Sequence, residues 1–210
     1  MDVAPPTDEL VPRARRGRPG YDRDQVLGIA VSLFNEKGYD ATSVSDLAER
    51  LGLTKSALYH HFASKEHVLD LALDDALTSL ERVLEHPEAQ HGPADARLAH
   101  VIRGAVRVLI EKLPSVTLLL RVRGNSPVEL SALERRRVFD HRVTEVVRRA
   151  QDEGHLRADV DPAVATRLVF GMVNSLTEWY RPGGALHAEQ LSTVVLSTAL
   201  DGLRTPPDPR

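Results

Sequence analysis

No cysteine occurs in this chain, and aromatic residues make up only 4% of it, with one tryptophan and two methionines. The first absence excludes disulfides and thiolate metal ligands, and it fits a cytoplasmic protein. The second leaves Leu, Val and Ala to supply most of the packing. No run approaches the roughly 18 apolar residues that a membrane span requires, so no membrane partner is expected. The first twenty residues hold arginines and prolines but no apolar segment, which argues against a secretory leader. Lysine is scarce as well. Only Lys37, Lys55, Lys65 and Lys112 stand among 27 basic residues, a bias that genomic base composition explains more readily than chemistry.

What is present bounds the architecture. A chain of 210 residues, 42% apolar, can bury one good core or join a small domain to a larger one. The net charge of −3 is unusual for a DNA binder, but it averages over a gradient. Between Val11 and Tyr21 there are four arginines (Arg13, Arg15, Arg16, Arg18) and no acid. A small basic reader attached to a neutral or acidic body reconciles the two facts. Arg16-Gly17-Arg18-Pro19 has the form of a minor-groove arm, because arginine enters a narrow A/T groove where the negative potential is strongest. The alternative is a solvated tail.

Residues 43 to 67 are the most informative. Ser43 and Asp46 form a capping box, and Val44, Leu47, Ala48 and Leu51 recur at helical spacing as one buried stripe. Gly52 suits a left-handed cap, and Thr54 caps the next helix, which Leu58 anchors. A helix, a three-residue break and a second short helix are predicted, the second offering small polar groups, Tyr59 and two imidazoles. Such a helix-turn-helix unit can push its second helix into a major groove.

The remainder reads as helices without strand signals. Asp22 with Gln25 opens the first helix, whose buried face is Val26, Ile29, Ala30, Leu33 and Phe34. Ser64 opens a long one through Leu69, Leu73, Leu77, Leu80 and Leu84, ended by Pro87. A further helix from Leu98 to Leu109 is expected to close at Pro114, and a short apolar stretch follows from Val116 to Arg123. Ser126-Pro127-Val128-Glu129 and Asp161-Pro162 start two more. The last two helices, eighth and ninth in this order, are apolar nearly all the way round. They point to a four-helix seam between two copies, with Gly171 and Ser175 allowing close approach, although a purely internal core is the alternative.

The segment from Tyr21 to Leu69, preceded by the arginine-rich arm and followed by a helical body, resembles the TetR/AcrR family of transcriptional regulators. That resemblance implies an all-α fold of about nine helices: an arm (1–20), a DNA-binding domain (21–67), a ligand-binding and dimerisation domain (68–204) and a tail (205–210). It implies a homodimer, joined through helices eight and nine, that binds a double-stranded, pseudo-palindromic operator and is released by a small-molecule effector. Carried over by position, Thr42 and Ser43 match phosphate contacts. Thr54, Lys55, Ser56 and Ala57 match the start of the recognition helix, Tyr59 and His60 straddle phosphate and base, and Lys65 touches the backbone.

For the effector, candidate polar linings are Arg121, Arg123 and Asn125 around the short sixth helix and Asn174, Glu178 and Trp179 on the eighth. LLLRVRGN and RLVFGMVNSLTEWYRPGG look like a subgroup that governs aromatic or sterol catabolism in actinobacteria. Its effectors are often acyl-CoA thioesters, whose phosphates would suit the arginines. A hydrophobic drug-like or fatty effector is the alternative, Trp179 can equally be core or dimer interface, and Arg121 can equally form a structural salt bridge. No cofactor is implied. Catalysis finds no support: there is no nucleophile elbow, no HExxH and no glycine-rich phosphate loop, and adjacent His60 and His61 cannot share a metal. A ligand-independent architectural DNA binder is the remaining alternative. Deleting residues 1 to 18 should flatten the dependence of operator affinity on salt concentration, measured by titration; an unchanged slope would remove the arm from the contact set.

Overall fold

A computed structural model describes residues 22–184 and 186–204, so Arg16 and Arg18 lie outside the described residues. Ten helical elements occur among them: α1 (Arg23–Lys37), α2 (Val44–Leu51), α3 (Lys55–His61), α4 (Lys65–Glu85), α5 (Pro87–Gln90), α6 (Ala94–Glu111), α7 (Leu113–Arg121), α8 (Pro127–Asp152), α9 (Pro162–Trp179) and α10 (Ala188–Leu203). Nine are full helices, as the sequence leads one to expect, and α5 is a single added turn. The eighth and ninth helices of the sequence reading are therefore α9 and α10. No helix among the described residues is long and apolar enough to cross a membrane.

The local signals act where they fall. Gln25 Oε1 accepts from the Asp22 N–H at 3.2 Å, Ser43 Oγ from Asp46 N at 3.1 Å and Ser64 Oγ from His67 N at 3.0 Å. Each satisfies a backbone donor that the first helical turn leaves without an internal partner. Gly52 adopts φ 61°, ψ 32°, the left-handed cap that the chain needs to turn from α2 into α3.

One boundary and one capping side chain differ from expectation. Pro114 does not close the preceding helix. It occupies the first turn of α7, where its missing N–H removes no helical bond. Ser126 caps α8 by accepting from Glu129 N at 3.3 Å, but the Glu129 carboxylate does not return to the cap residue. It is buried instead, and one oxygen accepts from Arg123, Gly124 and Asn125 N–H at 2.8, 2.8 and 3.1 Å.

Helix α4 is the axis of the molecule. Its first half, with Val68, Leu69, Ala72 and Leu73 buried, forms the floor of the α1–α3 unit, and its second half packs on α6, α7 and α8. A boundary drawn at residue 67 thus cuts a continuous helix, about 32 Å long at 1.5 Å per residue. Arg135 of α8 ties itself to α4 by a two-pronged bond to Glu81 (2.8 Å each) and another to Asp74 (2.8 Å). These bonds hold the carboxyls of Asp74 and Glu81 below their usual range.

The α4–α6 crossing is close because Gly104 has no side chain. A Cβ there would run into both methyl groups of Val83, with Cγ2 at 2.9 Å. Gly104→Ala should therefore lose stability in urea melts, since overpacking costs about 1–3 kcal/mol against roughly 1 kcal/mol gained in helix propensity. In a Val83→Ala background the same change should become neutral or stabilising. Additive effects would refute the clash.

Candidate nucleic-acid interface and effector cavity

The α2–α3 unit is built to expose one face. Leu47, Leu51, Leu58 and Phe62 are buried, which fixes the rotation of both helices and turns Thr54, Lys55, Ser56, Tyr59 and His60 outward. Tyr59 is 52% exposed and Ala57 is half-buried. Thr54 Oγ1 accepts from Ala57 N at 3.1 Å, so its hydroxyl keeps one proton to donate outward. No acid occurs between Glu49 and Glu66. Lys55 has no ion-pair partner among the described residues. The surface is thus polar, free of negative charge and mildly cationic, the character that a phosphate backbone selects.

Around this face the positions differ in availability. Ser43 is exposed, its hydroxyl shared with Asp46, whose carboxyl is held far below its usual range by the Lys37 ammonium at 2.8 Å and by Ser43. Thr42 departs from the role implied by the resemblance. It is 1% exposed, and its hydroxyl donates inward to Gly38 O at 2.7 Å. Lys65 also turns inward. Its ammonium donates to Tyr39 O and Thr42 O, both at 2.9 Å, and sits 4.2 Å from the Tyr39 ring centre. Two of its three N–H groups thereby brace the α1–α2 corner against α4, leaving one for a ligand.

The interior cavity lies between α4, α6, α7, α8 and α9. It measures about 50 Å³, and its walls are apolar: Leu77, Leu80, Leu109, Leu119, Phe139 and Phe170 are among them. Three polar side chains reach it, Arg136, Asp140 and Asn174. Of the expected lining only Asn174 is there. Arg136 and Asp140 escaped the sequence reading although their i, i+4 spacing flanks Phe139, a pattern that could have marked a polar pair on a core-facing stripe. Arg136 makes one long bond, to Leu119 O at 3.3 Å. Asp140 stands at the rim, where partial burial raises its pKa and the charges of Arg136 and Arg167 oppose the shift.

The other expected lining residues sit elsewhere. Arg121, Arg123 and Asn125 border a cleft of about 380 Å³ between the end of α1 and the α7–α8 loop. There Arg121 donates to Asn35 O at 2.7 Å, Asn125 Nδ2 to Asp40 at 3.2 Å and Asn35 Nδ2 to Pro114 O at 2.8 Å. These bonds tie the end of α1 to both ends of α7. Asn35 Oδ1 is buried there with no partner among the described residues. Glu178 and Trp179 face outward, Trp179 at 50% exposure. They continue a stripe on α9 formed by Val164, Leu168, Gly171 and Ser175, with Leu168 65% exposed. Gly171 meets no atom within 4 Å of where a side chain would start.

Residues 26–72 match the family described as bacterial regulatory proteins, tetR family, and residues 91–203 match the tetracyclin repressor-like C-terminal domain. The chain belongs to the TetR family. It is accordingly a DNA-binding transcriptional regulator and not an enzyme. The HTH-type transcriptional repressor KstR2 of Rhodococcus jostii (strain RHA1) is 29% identical over 209 residues, covering 96% of this chain and 98% of KstR2. A TetR-family regulator of Streptomyces coelicolor A3 superposes with a TM-score of 0.81 at 46% identity, over 86% of this chain and 91% of that one. AibR, solved with isovaleryl coenzyme A and operator DNA, shares the fold alone, with a TM-score of 0.70 at 23% identity over 84% and 96% of the two chains.

The buried Glu129 carboxylate governs the loop at the cleft. Burial raises its pKa, and the three backbone N–H bonds more than reverse that, leaving it below the ordinary 4.5. A carboxyl lowered on folding stabilises the fold above its unfolded pKa and loses that contribution as pH falls through the folded value. Glu129→Gln should therefore cost about 1–3 kcal/mol near neutral pH. It should also shrink the loss of stability on acidification, measured by denaturant melts from pH 7 to pH 3. An unchanged acid slope would refute the assignment.

Proposed function

We propose that this TetR-family member is an effector-released repressor that binds a pseudo-palindromic operator as a homodimer. The observation that carries the reading is that α4 and α7 are both walls of the interior cavity and supports of the DNA-facing unit. A molecule that enlarges the cavity toward these two walls displaces one or both of them. The recognition helix α3 then moves with α4, or the Asn35 bonds to α7 break.

The size of the cavity supports release by expansion. Ligand sites for small molecules occupy roughly 300–1,000 Å³, far above the 50 Å³ present. An effector therefore binds a more open arrangement and shifts the population toward it by its differential affinity. The unpartnered Asn35 acceptor makes the junction costlier to hold than a fully bonded one, by roughly 1–3 kcal/mol, which lowers the cost of opening.

Thr54, Lys55, Ser56, Tyr59 and His60 are the side chains offered to the duplex, with Ser43 flanking and Lys65 contributing its remaining N–H. Two copies meeting on α9 and α10 would present this face twice. The exposed stripe of α9, with Trp179 at its end and Val194 of α10 at 55% exposure, supports that seam. Exposed apolar patches of this kind commonly mark association surfaces.

The effector we favour is an acyl-CoA thioester. Its acyl body suits the Leu and Phe walls, and its thioester carbonyl or phosphates suit Arg136, an under-bonded guanidinium. AibR, which shares only the fold, is described with a molecule of that class. Arg121, bonded to Asn35 O, and Arg123, on the rim of the same cleft, lie away from the cavity and are not needed for this role.

The test is to footprint the operator upstream of the protein's own gene, then titrate acyl-CoA esters against the bound complex. Operator affinity should fall and the melting temperature of the free protein should rise by linkage. Arg136→Ala should keep operator binding but blunt the response. Lys55→Ala should weaken the operator complex by about 1–3 kcal/mol if it reads a base. Binding that no ester relieves, with no thermal shift, would favour a ligand-independent DNA binder or a fatty, CoA-free effector instead.

A further inference from the structure

At the far end of α4 from the DNA face, three groups that stand apart in sequence come together. His86 forms the joint between α4 and α5, Glu88 lies on α5, and His100 projects from α6. One ligand atom from each lies within 4.8 Å of the others. The two imidazoles are stacked at 4.7 Å between centres and 16° between planes, and His100 Nδ1 lies 3.0 Å from a Glu88 oxygen. The turn that carries them is fixed on both sides: Arg97 Nε donates to Ala89 O at 2.9 Å, Gln90 bonds back to Leu84 O, and Ala89 is buried.

We propose that His86, Glu88 and His100 form a site for a divalent transition-metal ion of the zinc class. Two imidazoles and one carboxylate are the donor set of an open zinc site, with water completing the coordination. Bonds of about 2.0–2.2 Å require the donors to close on one another. The stacked rings must also turn, because in-plane lone pairs on parallel rings cannot meet at one ion. His86 is exposed, and the one hydrogen bond of its ring, Nδ1 accepting from Glu88 N at 3.4 Å, is long and is given up or stretched in that turn. Loading the site replaces the ring stack by coordination and staples the end of α4 to α6.

The surroundings set the selectivity. Arg82, Arg103 and Arg107 line the same groove of about 450 Å³ and repel any cation. A hard ion such as Mg²⁺, held mainly by charge and oxygen, gains too little from one carboxylate to overcome that. An ion that bonds strongly to imidazole nitrogen is retained. The sequence concealed the site because His86 and His100 are separated by fourteen positions, and the nine histidines look scattered along the chain.

The experiment uses the full chain, stripped with EDTA and titrated with ZnCl2, NiCl2 and MgCl2 by calorimetry, with thermal melts alongside. One zinc or nickel ion per chain should bind saturably and raise the melting temperature, and magnesium should do neither. His100→Ala and Glu88→Gln should each weaken zinc binding roughly tenfold or more, with helical circular dichroism unchanged. Cobalt(II) substituted into the parent chain should show the visible absorption of a low-coordinate nitrogen–oxygen site. No saturable binding, equal binding of magnesium, or affinity unchanged in both variants would overturn the proposal.

Discussion

Helix α4 cannot move at one end alone. It is a single run of hydrogen-bonded turns from Lys65 to Glu85, buried at its start beneath the recognition unit and along its second half against the core. Both halves use the same kind of contact, close-packed aliphatic side chains, and close packing transmits displacement because it leaves little room to absorb it. The cavity, the Arg135 clamp and the Lys65 brace all attach to this rod. The spacing of α4 from α7 and α8 is thus set by the same helix that underlies the α1–α3 unit.

Polar groups divide the labour between rigidity and yield. Lys65, Arg135 and Glu129 each make two or more bonds to fixed partners, and each removes a degree of freedom between elements. The α1–α7 junction is less completely bonded. Its bonds involve exposed side chains, Arg121 and Asn125, and it leaves one buried acceptor of Asn35 without a partner.

Charge follows the same division. The chain is slightly acidic overall, yet the face formed by Thr54 to His60 has no acid within it, and two acids near the unit, Glu36 and Asp46, are paired with Arg50 and Lys37. Attraction for a polyanion depends on the field at the docking face and not on the sum over the molecule, because salt screens exposed charges beyond about 10 Å.

Much of the α2–α3 unit was legible because its determinants are local. A capping box spans four residues, a glycine cap one, and a buried stripe eight, so short-range geometry suffices to orient Lys55 and Tyr59. The helical order follows from the same periodicity, and the start of α8 from its Ser126 cap and Pro127. The cavity lining was not legible in that way. Asn174 was found, but Arg136 and Asp140 were missed, and Arg121, Arg123 and Asn125 went to the interdomain cleft. Glu178 and Trp179 went to the surface, and Thr42 went inward. By itself, then, the sequence determined which segments are helices and which face of the recognition helix is free, since helical hydrogen bonds and caps close within a few residues. Only the tertiary structure decided which polar side chains meet in the core, at the cleft or beside His86, because that depends on how each helix rotates against neighbours tens of residues away, and helical spacing does not encode that rotation.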